Sequence, residues 1–347
     1  MVQNYFNMSI QKILILLSVA FFLFQPLLDA QYFGRNKPRY EDFNFEVLET
    51  EHFDIYHYLD NRARLHELAE HSEEWYRHHQ YIFHDTFRQQ NPVIFYNDHA
   101  DFQQTNAIMG LIGSGTGGVT EGLKNRVVMP IAMSNQQTHH VLGHELVHAF
   151  QYHMVLGGDS TSIRNLQNLP LWMVEGLAEY LSIGRVDPHT AMWMRDAVLN
   201  DDVPSLQKMN NPKYFPYRWG QAFWAFVTGI YGDEIIEPLF MATAKLGLEE
   251  AVSTELGTDI DTLSDRWVKL LKEHYQPMVD AEEREQTDGR PILEDLPGRI
   301  TVSPKVSPNG RYVIFLSEKD LFGLDLFLAD ARKGEVIRKV FSTTREG

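Results

Sequence analysis

Cysteine is absent from all 347 residues. That excludes disulfides, thiolate nucleophiles, thiolate zinc sites and a lipidated N-terminal cysteine together. Basic runs are absent as well. Lys and Arg number 31 against 47 Asp and Glu, for a formal net charge of −16. A nucleic-acid binder needs a basic footprint for phosphate, so nucleic acid is excluded as the main partner, and the acidity reads as a solvated surface. No GxxxxGK[ST] run occurs, although six glycines lie between Gly110 and Gly122. A phosphate loop is therefore excluded. The glycines instead permit tight turns or a close approach of backbone to a ligand. Hydrophobic residues at 44% and charged residues at 22% exclude a disordered or collagen-like chain.

One apolar run stands out, Ile13 to Phe24, interrupted only by Ser18. Its twelve residues would rise ~18 Å as a helix, short of the ~30 Å hydrocarbon core. Lys12 precedes it, Pro26 breaks it, and Ala30 offers a small residue for cleavage before Gln31. Residues 1–30 therefore read as a signal peptide, and the protein as exported, to the periplasm or beyond. Lys12 and Asp29 leave together, so the mature charge stays at −16. No other segment could span a membrane, so no stable span remains after cleavage.

The rest divides by period. Phe53 to Leu59, Pro92 to Tyr96 and Arg126 to Ile131 read as strands. Helical spacing runs from Asn61 to about Phe87, with Asp60 as the cap, and from Thr138 to about Leu156. Further helices are expected over Leu171 to Ile183, Trp219 to Tyr231, Asp233 to Leu246 and Asp259 to Tyr275. The polar stretch Asp280 to Pro297 is the linker candidate. Beyond it the period changes to two, with turns at Pro308-Asn309-Gly310 and Gly334.

The chemistry concentrates in His144-Glu145-Leu146-Val147-His148. On a helix, positions i and i+4 share a face. Two imidazoles so placed can converge on one cation at Zn–N of about 2.0–2.1 Å. Glu145 is offset around the helix, free to face a water rather than the metal. A zinc ion lowers the pKa of such a water toward ~7, and a carboxylate beside it can take the proton. Apolar neighbours Val141, Leu142, Leu146, Val147 and Phe150 predict a buried helix. Burying His, Glu and His together without a metal is costly.

A catalytic zinc needs a third protein ligand and an open position. A further His six residues after His148 is missing, since Met154 stands there. His153 does not fit the spacing, and His139 and His140 are expected to face solvent. The better candidate is Glu175, 27 positions beyond His148 in Leu171-Trp172-Met173-Val174-Glu175-Gly176-Leu177-Ala178-Glu179-Tyr180. Gly176 and Ala178 are expected to let this helix pack close to the His144 helix. Glu179, one turn beyond Glu175, is placed to accept the free N–H of a ligand histidine. The two glutamates could also exchange roles.

HELVH followed by WMVEGLAEY resembles the gluzincin metallopeptidases, in particular the peptidase-MA-like group of exported bacterial proteins. The resemblance covers roughly Phe45 to Tyr275. It implies one Zn2+ per chain held by His144, His148 and Glu175, with Glu145 as general base and a peptide or protein as substrate. It also implies an edge strand that holds extended substrate, for which Arg126 to Ile131, with Val127 and Val128, is the candidate. A tyrosine that stabilises the oxyanion is implied, with Tyr214 and Tyr217 as candidates. Glu121 is similar to the Glu that aminopeptidases place near a substrate amine.

Lys305 to Gly334 resembles one repeat of a TolB-type β-propeller. A propeller needs at least about four blades of ~40 residues, so the chain looks truncated, and a longer form could bind a protein partner through its propeller. The expected fold is α+β. A signal peptide occupies 1–30 and a zincin-like metallopeptidase domain (mixed sheet plus helical lobe) 31–280. A linker follows at 281–298 and a partial all-β propeller blade at 299–347. The alternative is a non-catalytic binding or scaffold protein with a structural or degenerate zinc site. A fourth protein ligand closing the site would favour it.

Overall fold

The computed structural model describes residues 37, 40–108, 110–157, 163–285, 291–294, 296, 300–320 and 323–342. The expected signal peptide lies outside them. The chain divides into two compact units, Met1–Val279 and Asp280–Gly347.

The first unit is built on five strands, β1 (Glu46–Glu49), β2 (Phe53–His57), β3 (Asn91–Tyr96), β4 (Val119–Glu121) and β5 (Arg126–Pro130). Their order is β1-β2-β3-β5-β4. Strands β2, β3 and β5 run parallel, and β1 and β4 flank them antiparallel. Parallel neighbours need crossovers. Helix α1 (Arg62–Phe83) joins β2 to β3, and the short α2 (His99–Phe102) follows β3. The α1 cap is Asn61, whose side chain accepts from the Arg64 N–H, one residue later than expected.

Period-two alternation divides β3 and β5 between two faces. Val93, Phe95, Val127 and Met129 pack with Leu65, Leu68 and Tyr76 of α1 and with Leu142, Leu146 and Phe150 of α3 (Asn135–Leu156). Tyr96 and Val128 pack in a smaller cluster with Phe43, Phe45 and Tyr58. This overturns one expectation. Strand β5 lies between β3 and β4, and Val127 and Val128 are both fully buried, so neither sits on a free edge. Among the described residues the edge strands are β1 and β4, and β4 is the one beside β5. Three residues inside a glycine-rich stretch are too few to leave a period-two signal.

Helix α3 opens on a Ser134 cap and closes at Gly157, which adopts φ +53°. Its middle, from Leu142 through Gln151, is buried without a break. The helical lobe comprises α4 (Ile163–Leu166), α5 (Leu171–Ile183), α6 (Pro188–Leu199), α7 (Pro216–Tyr231), α8 (Ile236–Leu246), α9 (Leu248–Leu256) and α10 (Ile260–Glu285). Helix α10 continues past Tyr275 into the stretch expected to be a linker.

Gly176 does not serve the packing expected of it. A Cβ there would lie 2.2 Å from the Gly220 Cα, and one on Gly220 would lie 1.7 Å from the Trp172 carbonyl oxygen. Backbone meets backbone at this crossing, so the small residues join α5 to α7 rather than to α3. Trp224 Nε1 donates to the Met173 carbonyl beside it (2.9 Å).

The second unit is an antiparallel sheet of β6 (Thr301–Val306), β7 (Tyr312–Ser317), β8 (Asp325–Asp330) and β9 (Glu335–Phe341), in that order. The β6–β7 turn passes through Gly310 at φ +67°. Val313, Phe315, Phe327 and Ala329 form its core. Among the described residues the sheet is open, with β6 and β9 at its edges.

Candidate metal centre

Helix α3 presents His144 and His148 one turn apart, and α5 presents Glu175 and Glu179 one turn apart opposite them. His148 Nε2 lies 3.1 Å from His144 Nε2 and 3.2 Å from Glu175 Oε2. His144 Nε2 lies 3.3 Å from the same oxygen. Donors bound at about 2.0–2.2 Å around a tetrahedral ion stand about 3.4 Å apart. The three atoms therefore already have the mutual spacing of ligands on one small cation, and their donor set suits zinc.

A contact behind His148 sets its tautomer. Gln151 Nε2 donates to the Val174 carbonyl (3.0 Å), which turns Oε1 toward His148 Nδ1 at 2.8 Å. That oxygen can only accept, so His148 Nδ1 carries the proton and Nε2 keeps its lone pair for the cluster. His144 Nδ1 lies 3.2 Å from Glu179 Oε1, an ion-pair contact on the side of the ring away from the cluster. Glu179 also pairs with His140 Nε2 (3.3 Å) and with Arg218 (3.1 Å), and Arg218 reaches Asp187 (3.2 Å). Glu175 thus stands with the two Nε2 atoms, and Glu179 stands behind His144. His140 is half-buried against Glu179 rather than turned to solvent. His139 is also half-buried, with its ring packed on Trp75 and His71. His153 Nδ1 bonds Asp85 (2.5 Å), away from the cluster.

Burial pulls the His144 pKa down, but the carboxylates of Glu175, Glu179 and Glu145 more than reverse it, to about 10. Burial pushes Glu175 up, and His144 and His148 outweigh it, holding the carboxyl well below the usual range. Glu179 follows the same pattern with His140 and His144. The carboxylates that favour a proton on His144 also favour a cation at this point. A divalent ion competes with that proton.

Glu145 is buried at 6% exposure yet lies within a cleft that includes Gly115, Gly117, His140, Tyr217 and Arg218. The Thr120 hydroxyl on β4 lies 2.8 Å from Glu145 Oε2 and 2.9 Å from its carbonyl oxygen, either of which can accept its proton. A Cβ on Gly118 would lie 2.8 Å from Glu145 Cγ. The glycine-rich segment therefore approaches α3 at Glu145. Thr120 and Gly118 were not singled out in the sequence. The nearest signal was the glycine cluster itself, which marks close backbone approach but not the element approached.

The two tyrosine candidates separate. The Tyr217 ring stacks on His144, with centroids 5.8 Å apart. Burial first, then the Glu175 carboxylate it faces, push its pKa upward. Tyr214 instead donates to Asp202 (3.1 Å) and packs edge-on against Trp219, outside the cluster. Glu121 is paired with Arg126 and with Lys124 across the β4–β5 hairpin, so its carboxylate is engaged away from the three ligand atoms.

A mixed sheet with a short antiparallel edge, a buried two-histidine helix beneath it and a facing glutamate helix together define a peptidase-like protein with a candidate metal centre. A family model of the Peptidase MA superfamily matches residues 82–273, more than half of the chain and all of α3 and α5, and the chain belongs to that superfamily. A comparison with curated proteins finds no match.

Proposed function

We propose that this protein is an exported, zinc-dependent peptidase of the gluzincin type, one zinc per chain, acting on peptide or protein. The observation that carries this reading is the triangle of His144 Nε2, His148 Nε2 and Glu175 Oε2 at 3.1, 3.2 and 3.3 Å. His144, His148 and Glu175 would hold the ion. When bound, it supplies Lewis acidity, lowering the pKa of a coordinated water toward ~7 and polarising a substrate carbonyl.

The remaining steps belong to the chain. Glu145 takes the proton of the attacking water at its carboxylate and returns it to the leaving amine. Thr120 and Gly118 hold Glu145 at the mouth of the cleft. Tyr217, kept protonated by its raised pKa, donates its O–H to the oxyanion that develops on attack. The unpaired edge of β4, Val119–Glu121, offers backbone groups to an extended peptide, which favours peptide over other amides. Residues 1–30 supply export. Among the described residues no helix is long and apolar enough to cross a membrane. The four-stranded sheet resembles one blade of a TolB-type propeller, which would offer a surface to a protein partner.

Elemental analysis of the purified protein tests the centre, and peptide-library cleavage tests the reaction. The expected result is that His144→Ala holds about one zinc per chain fewer than wild type. Glu145→Gln keeps the zinc and loses about 10²–10⁴-fold in kcat. Full activity in Glu145→Gln sinks the mechanism, and no zinc after reconstitution sinks the site.

A further inference from the structure

We propose that His71, Glu74 and His139 form a second divalent-metal site, separate from the HELVH centre, that ties α1 to the N-terminal part of α3. One ligand-type atom from each of the three lies within 4.8 Å of the other two. His71 and Glu74 are i and i+3 on α1, so they share a face. His139 comes from the neighbouring helix, with its ring centroid 4.7 Å from that of His71. Donors on a tetrahedral ion stand about 3.4 Å apart, so closing this trio needs a shift of roughly 1 Å. His71 and His139 are half-buried and Glu74 is exposed.

The surroundings hold the trio in place. Trp75, between Glu74 and the helix interface, donates Nε1–H to the His139 carbonyl (3.0 Å) and lies against the His139 ring at 4.8 Å. A Cβ on Gly143 would meet the same indole at 2.5 Å, so α1 and α3 touch directly there. The trio sits at the rim of that contact, open to ions from solvent. Two imidazoles and one carboxylate select a zinc-, nickel- or copper-class ion over magnesium or calcium. The ion would cross-link two helices that the sequence separates by a strand, a glycine-rich segment and a hairpin. It would therefore raise stability rather than take part in hydrolysis, and none of its ligands belongs to the His144, His148 and Glu175 set.

The test uses the full chain carrying His148→Ala, which disables the central site and leaves the trio intact. It is titrated with zinc chloride and with nickel chloride by calorimetry and by thermal melting. The expected result is one residual ion per chain and a Tm that rises with free metal. Adding His71→Ala or His139→Ala abolishes both, and Glu74→Gln weakens binding by about tenfold. The melting temperature without metal stays unchanged in these variants, which separates loss of a ligand from loss of the fold. The proposal is overturned if the His148→Ala protein binds no ion, or if its residual binding ignores substitutions in the trio. Failure of the central site would look different. Wild type and His148→Ala would then bind alike, both through the trio.

Discussion

At the scale of single residues, the site depends on groups that never touch substrate. Glu179 is buried at 4% exposure and holds the Nδ1 side of His144. Glu179→Gln removes the charge and keeps the shape. Zinc affinity is expected to fall about 10–100-fold, read by competition with a chromogenic chelator, while the melting temperature of the metal-free protein changes little. An unchanged affinity would move Glu179 out of the centre. His79 illustrates a different residue-scale effect. Its Nε2–H donates to the Gly143 carbonyl inside the α1–α3 contact (2.9 Å), and burial, then His78, lowers its pKa to about 3. The folded value lies below the unfolded 6.5. The neutral form therefore contributes stability that is whole above pH 6.5 and is lost as pH falls toward 3. Urea unfolding should show wild type losing roughly 3 kcal/mol more than His79→Gln between pH 7 and pH 4. Gln retains the donor and does not titrate. Parallel pH profiles for the two proteins would show that His79 is not the group responsible.

Among elements, the α5–α7 crossing positions the glutamates. Glu175 and Glu179 project toward α3 only because the opposite face of α5 lies against α7, where Gly176 meets Gly220. Gly220→Ala drives a methyl group into the Trp172 carbonyl and is expected to cost about 3 kcal/mol or more. Gly229, on the same helix, is exposed, with nothing near its missing side chain. Gly229→Ala should stabilise by about 0.5–1 kcal/mol. Thermal melts of the pair test the crossing, because helix propensity alone would shift both in the same direction. The helices themselves were legible from apolar spacing. Their partners were not. Small residues announce a close approach without naming the neighbour, and here the neighbour of Gly176 was α7.

In the whole molecule, the two units have separate cores. One is the large cluster spanning the sheet, α3 and the helical lobe, and the other is Val313, Phe315, Phe327 and Ala329. Removing residues 286–347 is expected to leave zinc content and the main unfolding transition unchanged, as read by elemental analysis and calorimetry. A lower transition or lost zinc would show that the second unit supports the first.

Local patterns in the chain were enough to single out the candidate ligands. A buried His-x-x-x-His pair follows from helical period and apolar flanks, because donor spacing within one helix is set by its rise. Glu175 was legible as a third donor because it lies in the first turns of a second helix, at loop distance from His148. The assignment of Glu175 to the two Nε2 atoms and Glu179 to Nδ1 required the crossing angle of two helices, which no single-segment pattern encodes. Tyr217 over Tyr214, β4 over β5 as a free edge, and the contacts of Thr120 and Gly118 with Glu145 were likewise decided by tertiary packing. Each depends on which surface a side chain faces once distant segments meet, and the folded core sets that, not the order of residues along one segment.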